Sequence, residues 1–364
     1  MTDRLRAGIV GAGFMGEVHA RAIRAAGGVV ARVAASTPER SAAAAARLGA
    51  DAPAETAEAL LTADDVDVVH VCTPNSLHAP VAEQALAAGR PVVCEKPLAT
   101  TVEDARRLTT AAAQAAVVAT VPFVYRFYGT VREARARIAA GEPGPLRLLH
   151  GTYLQDWLSK AEDSNWRVDP ALGGASRAFG DIGVHWCDLM EFVTGHRVTR
   201  LTARMVTAFD RRPSASGSAE VGTEDAATVL FETDRGAAGS LVISQVSPGR
   251  KNRLWFSFDG ADASYGFDQE NPDNLWVGGR AGNQIVPRGA EGTSDAAARY
   301  SIVPAGHPQG YQDCFNAFVA DTYAAIAGAP PDGLPTFADG LRAAQLTQAV
   351  VESAASQTWV EVPA

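Results

Sequence analysis

A glycine-rich segment near the start of the chain has the spacing of a phosphate-binding loop. Gly11, Gly13 and Gly16 form a GxGxxG pattern that directly follows a predicted strand and, with Phe14 and Met15, opens a predicted helix. In this context the first glycine allows a tight turn, the second lets backbone approach a pyrophosphate, and the third permits close packing of helix on strand. The N–H groups at the start of the helix then face the phosphates. These five residues therefore predict a bound dinucleotide.

The residues after the second predicted strand bear on which dinucleotide is bound. An Asp or Glu there would accept a hydrogen bond from the ribose 2′-OH and repel a 2′-phosphate. The sequence instead has Ser36, Thr37 and, three residues on, Arg40. Two hydroxyls and a guanidinium can hold a 2′-phosphate, so these residues favour NADP over NAD. The alternative is that Ser36 or Thr37 caps the next helix and that Arg40 is a solvated surface residue.

Two loops follow later predicted strands, at the edge where a parallel sheet binds its ligands. Residues 73–78 read TPNSLH after the third strand, and residues 95–97 read EKP after the fourth. A lysine at a strand end beside a nicotinamide can donate to a developing alkoxide or share in the proton transfer. Lys96 can equally be part of a surface turn, because a lysine followed by proline is common there.

An acid and an imidazole lie four residues apart in the second half of the chain. The spacing of Asp181 and His185 places both on one face of a predicted helix. Histidine titrates near neutral pH and can take the proton of an alcohol, and a nearby carboxylate can orient it. The alternatives are an N-cap aspartate with a core histidine, or a metal cluster with Asp188. No third His or Cys stands at coordinating spacing, so the sequence predicts no metal site.

A parallel sheet must position the first three motifs. Short β-branched runs alternate with alanine-rich stretches over the first third of the chain, which is typical of repeated βαβ units. The predicted strands cover residues 6–10, 29–35, 66–72, 91–94 and 116–121, and the predicted helices cover residues 15–26, 39–48, 78–88 and 102–114. This pattern predicts an α/β fold with an N-terminal Rossmann domain, a doubly wound parallel sheet, over residues 1–122.

The remaining residues, 123–364, have the pattern of a C-terminal α+β domain with an open, mostly antiparallel sheet. The predicted strands cover residues 146–157, 197–209, 226–232, 239–246 and 254–259, and the predicted helices cover residues 130–140, 181–194, 311–327 and 337–353. Residues 233–236 predict a hairpin turn. The helices are expected to cover one face of this sheet, and residues 211–223 and 280–294 are expected to be loops.

Composition narrows the class of protein. The chain has 364 residues, 47% of them hydrophobic, which is enough for about two domains with proper cores. A net charge of −9 and the lack of a basic run argue against a nucleic-acid partner. No apolar stretch approaches the ~20 residues that cross a bilayer, and the charged start of the chain does not resemble a signal peptide. We therefore expect a cytoplasmic protein without a membrane partner.

Taken in order, the motifs at residues 11–16, 73–78, 95–97 and 181–185 resemble the family of glucose-fructose oxidoreductase and inositol dehydrogenase (Gfo/Idh/MocA). Residues 151–157 and the pair Trp166–Arg167 are similar to the levoglucosan dehydrogenase-like sugar dehydrogenases within it. The resemblance covers most of the chain and implies a catalytic set of Lys96, Asp181 and His185.

The resemblance also implies two groups of binding residues. Implied cofactor contacts come from Thr73, Asn75, His78, Glu95, Lys96, Trp166 and Arg167. The implied sugar pocket is lined by Lys96, Tyr125, Gln155, Trp157, Asp181, His185 and His307. An aromatic face suits the C–H face of a pyranose and an amide suits its hydroxyls, although Trp157 can also be a core aromatic residue.

The activity implied by the resemblance is NAD(P)-dependent transfer of a hydride between the nicotinamide and a secondary alcohol or ketone of a sugar, anhydrosugar or cyclitol. His185 takes the hydroxyl proton, Lys96 stabilises the alkoxide, and Asp181 positions substrate and imidazole. A lyase or glycosidase with transient internal redox chemistry and a non-catalytic dinucleotide sensor are the alternatives. Pairing of open sheets, which is common in the family, implies a homodimer or homotetramer.

Overall fold

The computed structural model describes residues 4–214 and 217–363. The chain forms two compact units. The first contains the residues up to Val124 together with Tyr311–Ala344, and the second contains Tyr125–Gly310 with the residues from Gln345 onward. A late stretch of the chain thus returns to the first unit. The predicted functional division, residues 1–122 for the dinucleotide and 123–364 for substrate and self-association, stays a prediction.

The helices are numbered here in chain order. The α-helices of the described residues are α1 Phe14–Ala25, α2 Pro38–Leu48, α3 Ala57–Leu61, α4 His78–Ala87, α5 Val102–Ala115, α6 Gly129–Ala139, α7 Pro170–Gly173, α8 Val184–Thr194, α9 Asp295–Ala298, α10 Tyr311–Ile326 and α11 Phe337–Ser356. Shorter 3₁₀ turns cover Asn75–Leu77, Val124–Phe127 and Trp166–Val168, and a π-turn covers Phe179–Gly183. None of the described helices is long and apolar enough to cross a membrane.

The strands of the first unit form one parallel sheet, which confirms the predicted Rossmann fold. Its strands are β1 Arg6–Val10, β2 Val29–Ala34, β3 Ala52–Pro53, β4 Val68–Val71, β5 Val92–Cys94 and β6 Ala119–Thr120. Their order is β3-β2-β1-β4-β5-β6. The order reverses between β1 and β4, so a crevice for a ligand opens at the carboxyl ends of those two strands.

The strands of the second unit form an open sheet, which confirms the predicted α+β class. They are β7 Leu146–Leu154, β8 Val198–Val206, β9 Arg211–Ser214, β10 Gly217–Glu220, β11 Ala226–Thr233, β12 Ala238–Ser244, β13 Arg253–Gly260, β14 Ala263–Asp268, β15 Asn274–Gly279, β16 Gly282–Pro287 and β17 Val360–Glu361. Nine of them form the sheet β16-β15-β14-β13-β7-β12-β11-β8-β17. Its pairings are antiparallel apart from β7 with β12.

The predicted place of one helix was wrong. Residues 311–327 were expected to cover the second sheet, but α10 belongs to the first unit and packs along α1. Phe315 on α10 meets the ring of His19 on α1, with ring centroids 5.2 Å apart. The apolar face of α10 showed that the helix packs on something, but not which sheet it covers.

Two predicted loops were also wrong. Within residues 211–223, β9 pairs with β10, and within residues 280–294, β16 pairs with β15. Both β10 and β16 are almost wholly exposed, so neither has the alternation of apolar residues by which a strand is recognised in a sequence. Residues 215 and 216 lie outside the described residues. The predicted turn at 233–236 is confirmed, since Gly236 N–H donates to Thr233 O at 3.0 Å.

Candidate active site

The glycine loop joins β1 to α1, and its glycines are required for different reasons. Gly11 has φ +102°, and a Cβ there would lie 2.4 Å from Cys72 O. A Cβ on Gly16 would lie 2.5 Å from Gly11 O. Gly13 has an ordinary φ of −78°, and a Cβ there would meet no atom of the described chain within 4 Å. Gly11 and Gly16 are thus needed by the fold itself, whereas Gly13 borders space that a ligand can fill.

The start of α1 suits an anion. Gly13 is the N-cap, and no side chain in the described ranges caps the helix there. Phe14 in the first turn is 68% exposed. The N–H groups of this turn and the positive end of the helix dipole are the features that bind phosphates. The loop therefore fits the pyrophosphate of a dinucleotide, and the predicted contact of Gly13 with it stays a prediction.

Replacing Gly13 with valine is expected to weaken NADH binding and to leave folding intact. The new side chain fits against the protein but occupies the space proposed for the pyrophosphate. Such crowding costs about 1–3 kcal/mol, or roughly a tenfold to hundredfold rise in the Kd measured by NADH fluorescence. Gly11→Ala is the matched control, because its positive φ and contact with Cys72 predict a lower Tm. A Gly13→Val protein that binds NADH normally would contradict this assignment.

The three residues after β2 form a small exposed group at the start of α2. Thr37 is the N-cap, and its Oγ1 accepts a hydrogen bond from Arg40 N at 3.2 Å. The Arg40 guanidinium donates to Ser36 Oγ at 3.0 Å. The capping alternative is therefore confirmed for Thr37. Ser36 and Arg40 still present a hydroxyl and a cation side by side.

Glu95 and Lys96 follow β5 at the crevice edge of the first sheet. Glu95 is buried, and its Oε2 accepts the backbone N–H of Lys96 at 3.1 Å. Its Oε1 lies 3.1 Å from Nε2 of His19. Burial raises the pKa of Glu95, but the hydrogen bond and charge of His19 and the charge of Lys96 outweigh it and lower that pKa. Glu95 is thus a buried carboxylate that holds the backbone of Lys96.

His78 joins the two predicted cofactor loops to each other. It is buried, with Nδ1 2.7 Å from Pro97 O and Nε2 2.9 Å from Thr73 O. Burial is the main reason that the pKa of His78 is lowered. Both partners are acceptors, so a neutral ring donates to one of them at a time. The structure places His78 as a brace between the loops, and its direct contact with a cofactor stays a prediction.

Asp181, in the second unit, lies in a π-turn rather than in the predicted α-helix. Val184 N–H bonds to Phe179 O, five residues back, and α8 begins only at Val184. Residue 183 must be a glycine in this turn, since a Cβ there would lie 2.5 Å from the Phe179 ring. Single π-turns are frequent at functional sites because they redirect a side chain. Asp181 therefore precedes the regular helix that carries His185.

Two side chains hold the Asp181 carboxylate. Gln245 Nε2 donates to its Oδ2 at 2.9 Å, and Arg167 Nε lies 3.4 Å from its Oδ1. The buried amide of Gln245 also accepts from Arg177 at 3.2 Å. Arg167 also stacks on Trp166, 4.4 Å from the ring centroid. The predicted contacts of Trp166 and Arg167 with a cofactor stay predictions.

Two tyrosine rings contact His185, and a chain of hydrogen bonds runs from their hydroxyls. The Tyr125 ring meets the His185 ring edge-on, with centroids 5.1 Å apart. The hydroxyls of Tyr125 and Tyr153 bond to each other, and Tyr153 OH donates to Asn252 Oδ1 at 2.8 Å. Gln155 donates to the same Asn252 oxygen at 2.7 Å. The His185 imidazole therefore lies beside two tyrosines, and the hydroxyls and amides of this chain can exchange partners with a polyol.

Other predicted residues fall into two groups. Trp157 joins the cluster, since its Nε1 donates to Gln155 Oε1 at 2.7 Å. His307 lies in an exposed loop. Its backbone carbonyl accepts from Arg288 at 2.6 Å, and among the described residues its imidazole has no hydrogen bond to the cluster around Asn252. Asp188, the alternative metal ligand, instead accepts Arg126 Nε at 2.8 Å. The described residues contain no group of three side chains that could hold a metal ion.

Sequence reasoning missed Tyr153, Gln245 and Asn252. Each lies far in sequence from the residue that it contacts, and each is a polar residue in or beside a strand. A polar residue within an apolar strand pattern was the available signal for Tyr153 and Gln245. Asn252 follows a turn, where asparagine is common, so no local signal distinguished it.

Comparison with known proteins agrees with this geometry. Residues 5–123 match the oxidoreductase family with an NAD-binding Rossmann fold, and residues 131–265 match the GFO/IDH/MocA C-terminal domain. The chain is 32% identical to levoglucosan dehydrogenase of Pseudarthrobacter phenanthrenivorans, with 99% of both chains covered. It is 28% identical to inositol 2-dehydrogenase of Rhizobium meliloti, with 98% of this chain and 99% of that protein covered.

A solved structure of levoglucosan dehydrogenase in complex with NADH and levoglucosan superimposes with a TM-score of 0.92 at 31% identity, covering 99% of this chain and 100% of that one. Fold, motif order and sequence agree over nearly the whole length. The chain therefore belongs to the GFO/IDH/MocA family of NAD-binding oxidoreductases.

Proposed function

We propose that the protein is an NAD(P)-dependent dehydrogenase that transfers a hydride between the nicotinamide and a secondary alcohol or ketone of a sugar, anhydrosugar or cyclitol. One observation carries the proposal. Near His185, the second unit has an aspartate held by two partners and a cluster of amides and hydroxyls. In the same chain, the glycine loop leaves space beside Gly13 for the proposed dinucleotide.

Each proposed catalytic residue has one task. His185 accepts the hydroxyl proton in the oxidation direction and returns it in reduction. Lys96 donates to the oxygen as negative charge develops on it, and Asp181 positions the substrate and the imidazole. When bound, the nicotinamide supplies the redox chemistry by accepting or giving the hydride.

The substrate class rests on the cluster around Asn252. Gln155 and Asn252 offer amide donors and acceptors, and Trp157 offers an aromatic face. A polyol needs this combination because its hydroxyls both donate and accept while its C–H face is apolar. Relatives named for levoglucosan and inositol support a compact cyclic polyol.

The direct test is absorbance of reduced nicotinamide when the protein is incubated with NAD⁺ or NADP⁺ and a panel of monosaccharides, levoglucosan, simple glycosides and inositols. A rise with one class of cyclic polyol is the expected result. Silence across the panel in both directions, with NADH binding intact, would overturn the proposal. Cleavage of a glycoside without net NADH would identify a lyase or glycosidase, and binding without any reaction would identify a sensor.

The choice between NAD and NADP has a residue-level test. Ser36 and Arg40 favour NADP, whereas the relative solved with NADH favours NAD. Arg40→Ala is expected to weaken NADP⁺ binding about tenfold or more, since a hydrogen bond to a charged group contributes roughly 1.5–3 kcal/mol. NAD⁺ binding should not change. Calorimetric titration of both cofactors measures this. An NADP⁺ affinity that Arg40→Ala leaves unaltered, and that is weaker than the NAD⁺ affinity in the natural protein, would assign the protein to NAD.

Self-association is proposed through the outer face of the second sheet. Leu230 on β11 is 53% exposed and Val242 on β12 is 41% exposed, on one face of neighbouring strands. Apolar residues left outside on a sheet are typical of an interface. A Leu230→Lys, Val242→Lys double variant is expected to sediment as a monomer while the natural protein sediments as a dimer or tetramer. Ile302→Lys, at an exposed residue outside the sheet, is the control and should not alter the mass.

A further inference from the structure

Four buried polar side chains form an unbroken line through the core of the first unit. Tyr323 on α10 lies 3.1 Å, through its OH, from Nε2 of His70 on β4. His70 Nδ1 lies 2.8 Å from Nδ1 of His19 on α1, and His19 Nε2 lies 3.1 Å from Glu95 Oε1. All four are buried, with both imidazoles fully inaccessible. Apolar side chains would fill such a core at a lower desolvation cost, so the line calls for an explanation.

The donor in the hydrogen bond between His19 and Glu95 is fixed by the chemistry of the carboxylate. A carboxylate is an acceptor only, so His19 must carry a proton on Nε2 and donate it to Glu95. This holds whether the His19 ring is neutral or protonated. With a neutral ring, His70 Nδ1–H donates to His19 and Tyr323 OH donates to His70. With a protonated ring, both of these bonds reverse.

The other carboxylate oxygen of Glu95 connects this line of side chains to Lys96, a proposed catalytic residue. Glu95 Oε2 accepts the backbone N–H of Lys96 at 3.1 Å. His19 lies on α1, the helix that the glycine loop opens. The helix that is proposed to meet the pyrophosphate therefore also holds Glu95, which in turn holds the backbone of Lys96. We propose that His19 is a positioning residue: its Nε2 donor keeps the Glu95 carboxylate ionised and aligned on Lys96. This inference rests on the proposed function of Lys96.

His70 and Tyr323 fix the orientation of the His19 ring. Burial is the main cause, and the charge of His19 the second, of the lowered pKa of His70. His70 is therefore neutral and can relay a hydrogen bond but not carry a charge. Phe315 closes one side of the His19 ring, at 5.2 Å between centroids. The ring is thus held from α10 and from β4 while it donates to Glu95.

The remaining groups around Glu95 do not replace this donor. Cys72 and Cys94 are buried, and burial together with the charge of Glu95 raises the pKa of both thiols, which keeps them neutral. His78 points its two nitrogens at backbone carbonyls. Lys96 contributes its charge and its backbone N–H. Without His19, burial would dominate and the pKa of Glu95 would rise.

The sign of the pH effect follows. In the natural protein Glu95 is ionised throughout the working range. In His19→Leu it takes up a proton as the pH falls, and Lys96 loses its charged support. The acid limb of the kcat profile should therefore move up by at least about one pH unit, with activity recovering in alkali. His19→Gln keeps an amide donor near the Nε2 position but no charge, and should shift the acid limb less than His19→Leu does. Tyr323→Phe should shift it less than His19→Leu does.

Two outcomes would overturn the proposal. One is a folded His19→Leu protein with the natural acid limb, and the other is a loss of kcat in that variant that is the same at every pH. The second result would mean a merely structural role for His19. The Tm and NADH affinity of each variant are measured alongside, to confirm folding of the full chain.

A measurement without substrate separates this inference from the proposed function. The ¹³C resonance of the Glu95 carboxyl reports its protonation, and ¹⁵N resonances of the histidine rings report which nitrogen carries a proton. We expect an ionised Glu95 and an Nε2-protonated His19 in the natural protein, and titration of Glu95 at higher pH in His19→Leu. Absence of that difference refutes the positioning role even if no sugar is ever oxidised. Its presence without turnover refutes the proposed activity alone.

Discussion

Replacement of Lys96 with alanine is expected to lower turnover by about two to four orders of magnitude, the range assigned to a positioned proton donor or acceptor. The affinity for NADH should change little, because the glycine loop and the start of α1, which are proposed to bind the pyrophosphate, remain. The fold should also remain, since the variant keeps the backbone N–H that Glu95 accepts. The measurements are kcat on the sugar found in the panel and NADH fluorescence.

The chain offers a matched control for this change. Lys160 is an exposed lysine in the second unit, and Lys160→Ala removes the same side chain outside the proposed site. It should leave kcat within about twofold of the natural value, as surface substitutions usually do. If Lys96→Ala turns over at a similar rate, Lys96 takes no part in the mechanism, and the positioning role of Glu95 and His19 loses its target.

The second large expected effect is on the free energy of unfolding, at the buried carboxylate of Asp225. Asp225 is fully buried and accepts hydrogen bonds from two buried arginines, Arg177 and Arg212, the latter at 2.9 Å. Asp225→Ala leaves both guanidinium groups without their carboxylate. Breaking a buried pair in this way lowers the free energy of unfolding by about 3–5 kcal/mol. Because Arg177 also holds Gln245, the carboxylate of Asp181 should become less fixed as well.

Urea denaturation followed by tryptophan fluorescence measures this effect where it occurs, since all six tryptophans lie in the second unit. Glu232→Ala is the control. Glu232 pairs with Arg200 at 2.7 Å, but both side chains are more than two-fifths exposed, and exposed pairs contribute about 0–1 kcal/mol. Equal shifts of the urea midpoint in the two variants would contradict the assignment of Asp225 as a structural anchor.

The same carboxylate predicts how stability depends on pH. Burial raises the pKa of Asp225, but the hydrogen bond and charge of Arg177, the Ala208 N–H and the hydrogen bond of Arg212 outweigh it, so the pKa in the folded state is lowered. Its stabilising contribution is therefore complete above the unfolded pKa of about 3.9 and is lost as the pH falls through the folded pKa. In Asp225→Ala this part of the acid dependence should be absent.

Much of the first unit could be predicted because its signals are local. The glycine spacing from Gly11 to Gly16, the alternation of strands and helices, and the polar loops after β4 and β5 each lie within a few residues of one another. The order of the motifs was sufficient to identify the family. The predicted class of the second sheet held for the same reason, since alternation along its main strands shows one buried face.

Other features depended on residues that are distant in sequence. Nothing near Asp181 indicates that Gln245 will hold it, and nothing near Tyr125 indicates that Asn252 will bond to it. The apolar face of α10 is equally compatible with either sheet, and a periodic pattern cannot choose between them. The π-turn at Phe179–Gly183 is likewise not revealed by the spacing of Asp181 and His185.

The line of buried side chains from Tyr323 to Glu95 shows most clearly which features local sequence predicts and which it does not. By itself the sequence determined the elements, the dinucleotide loop and the chemically capable residues, because backbone periodicity, turn chemistry and motif spacing act over a few residues. Only the tertiary structure decided that an imidazole on α1, another on β4 and a hydroxyl on α10 would meet behind Glu95. Hydrogen bonds between side chains need atoms about 3 Å apart, and packing of whole elements, rather than local sequence, sets those distances.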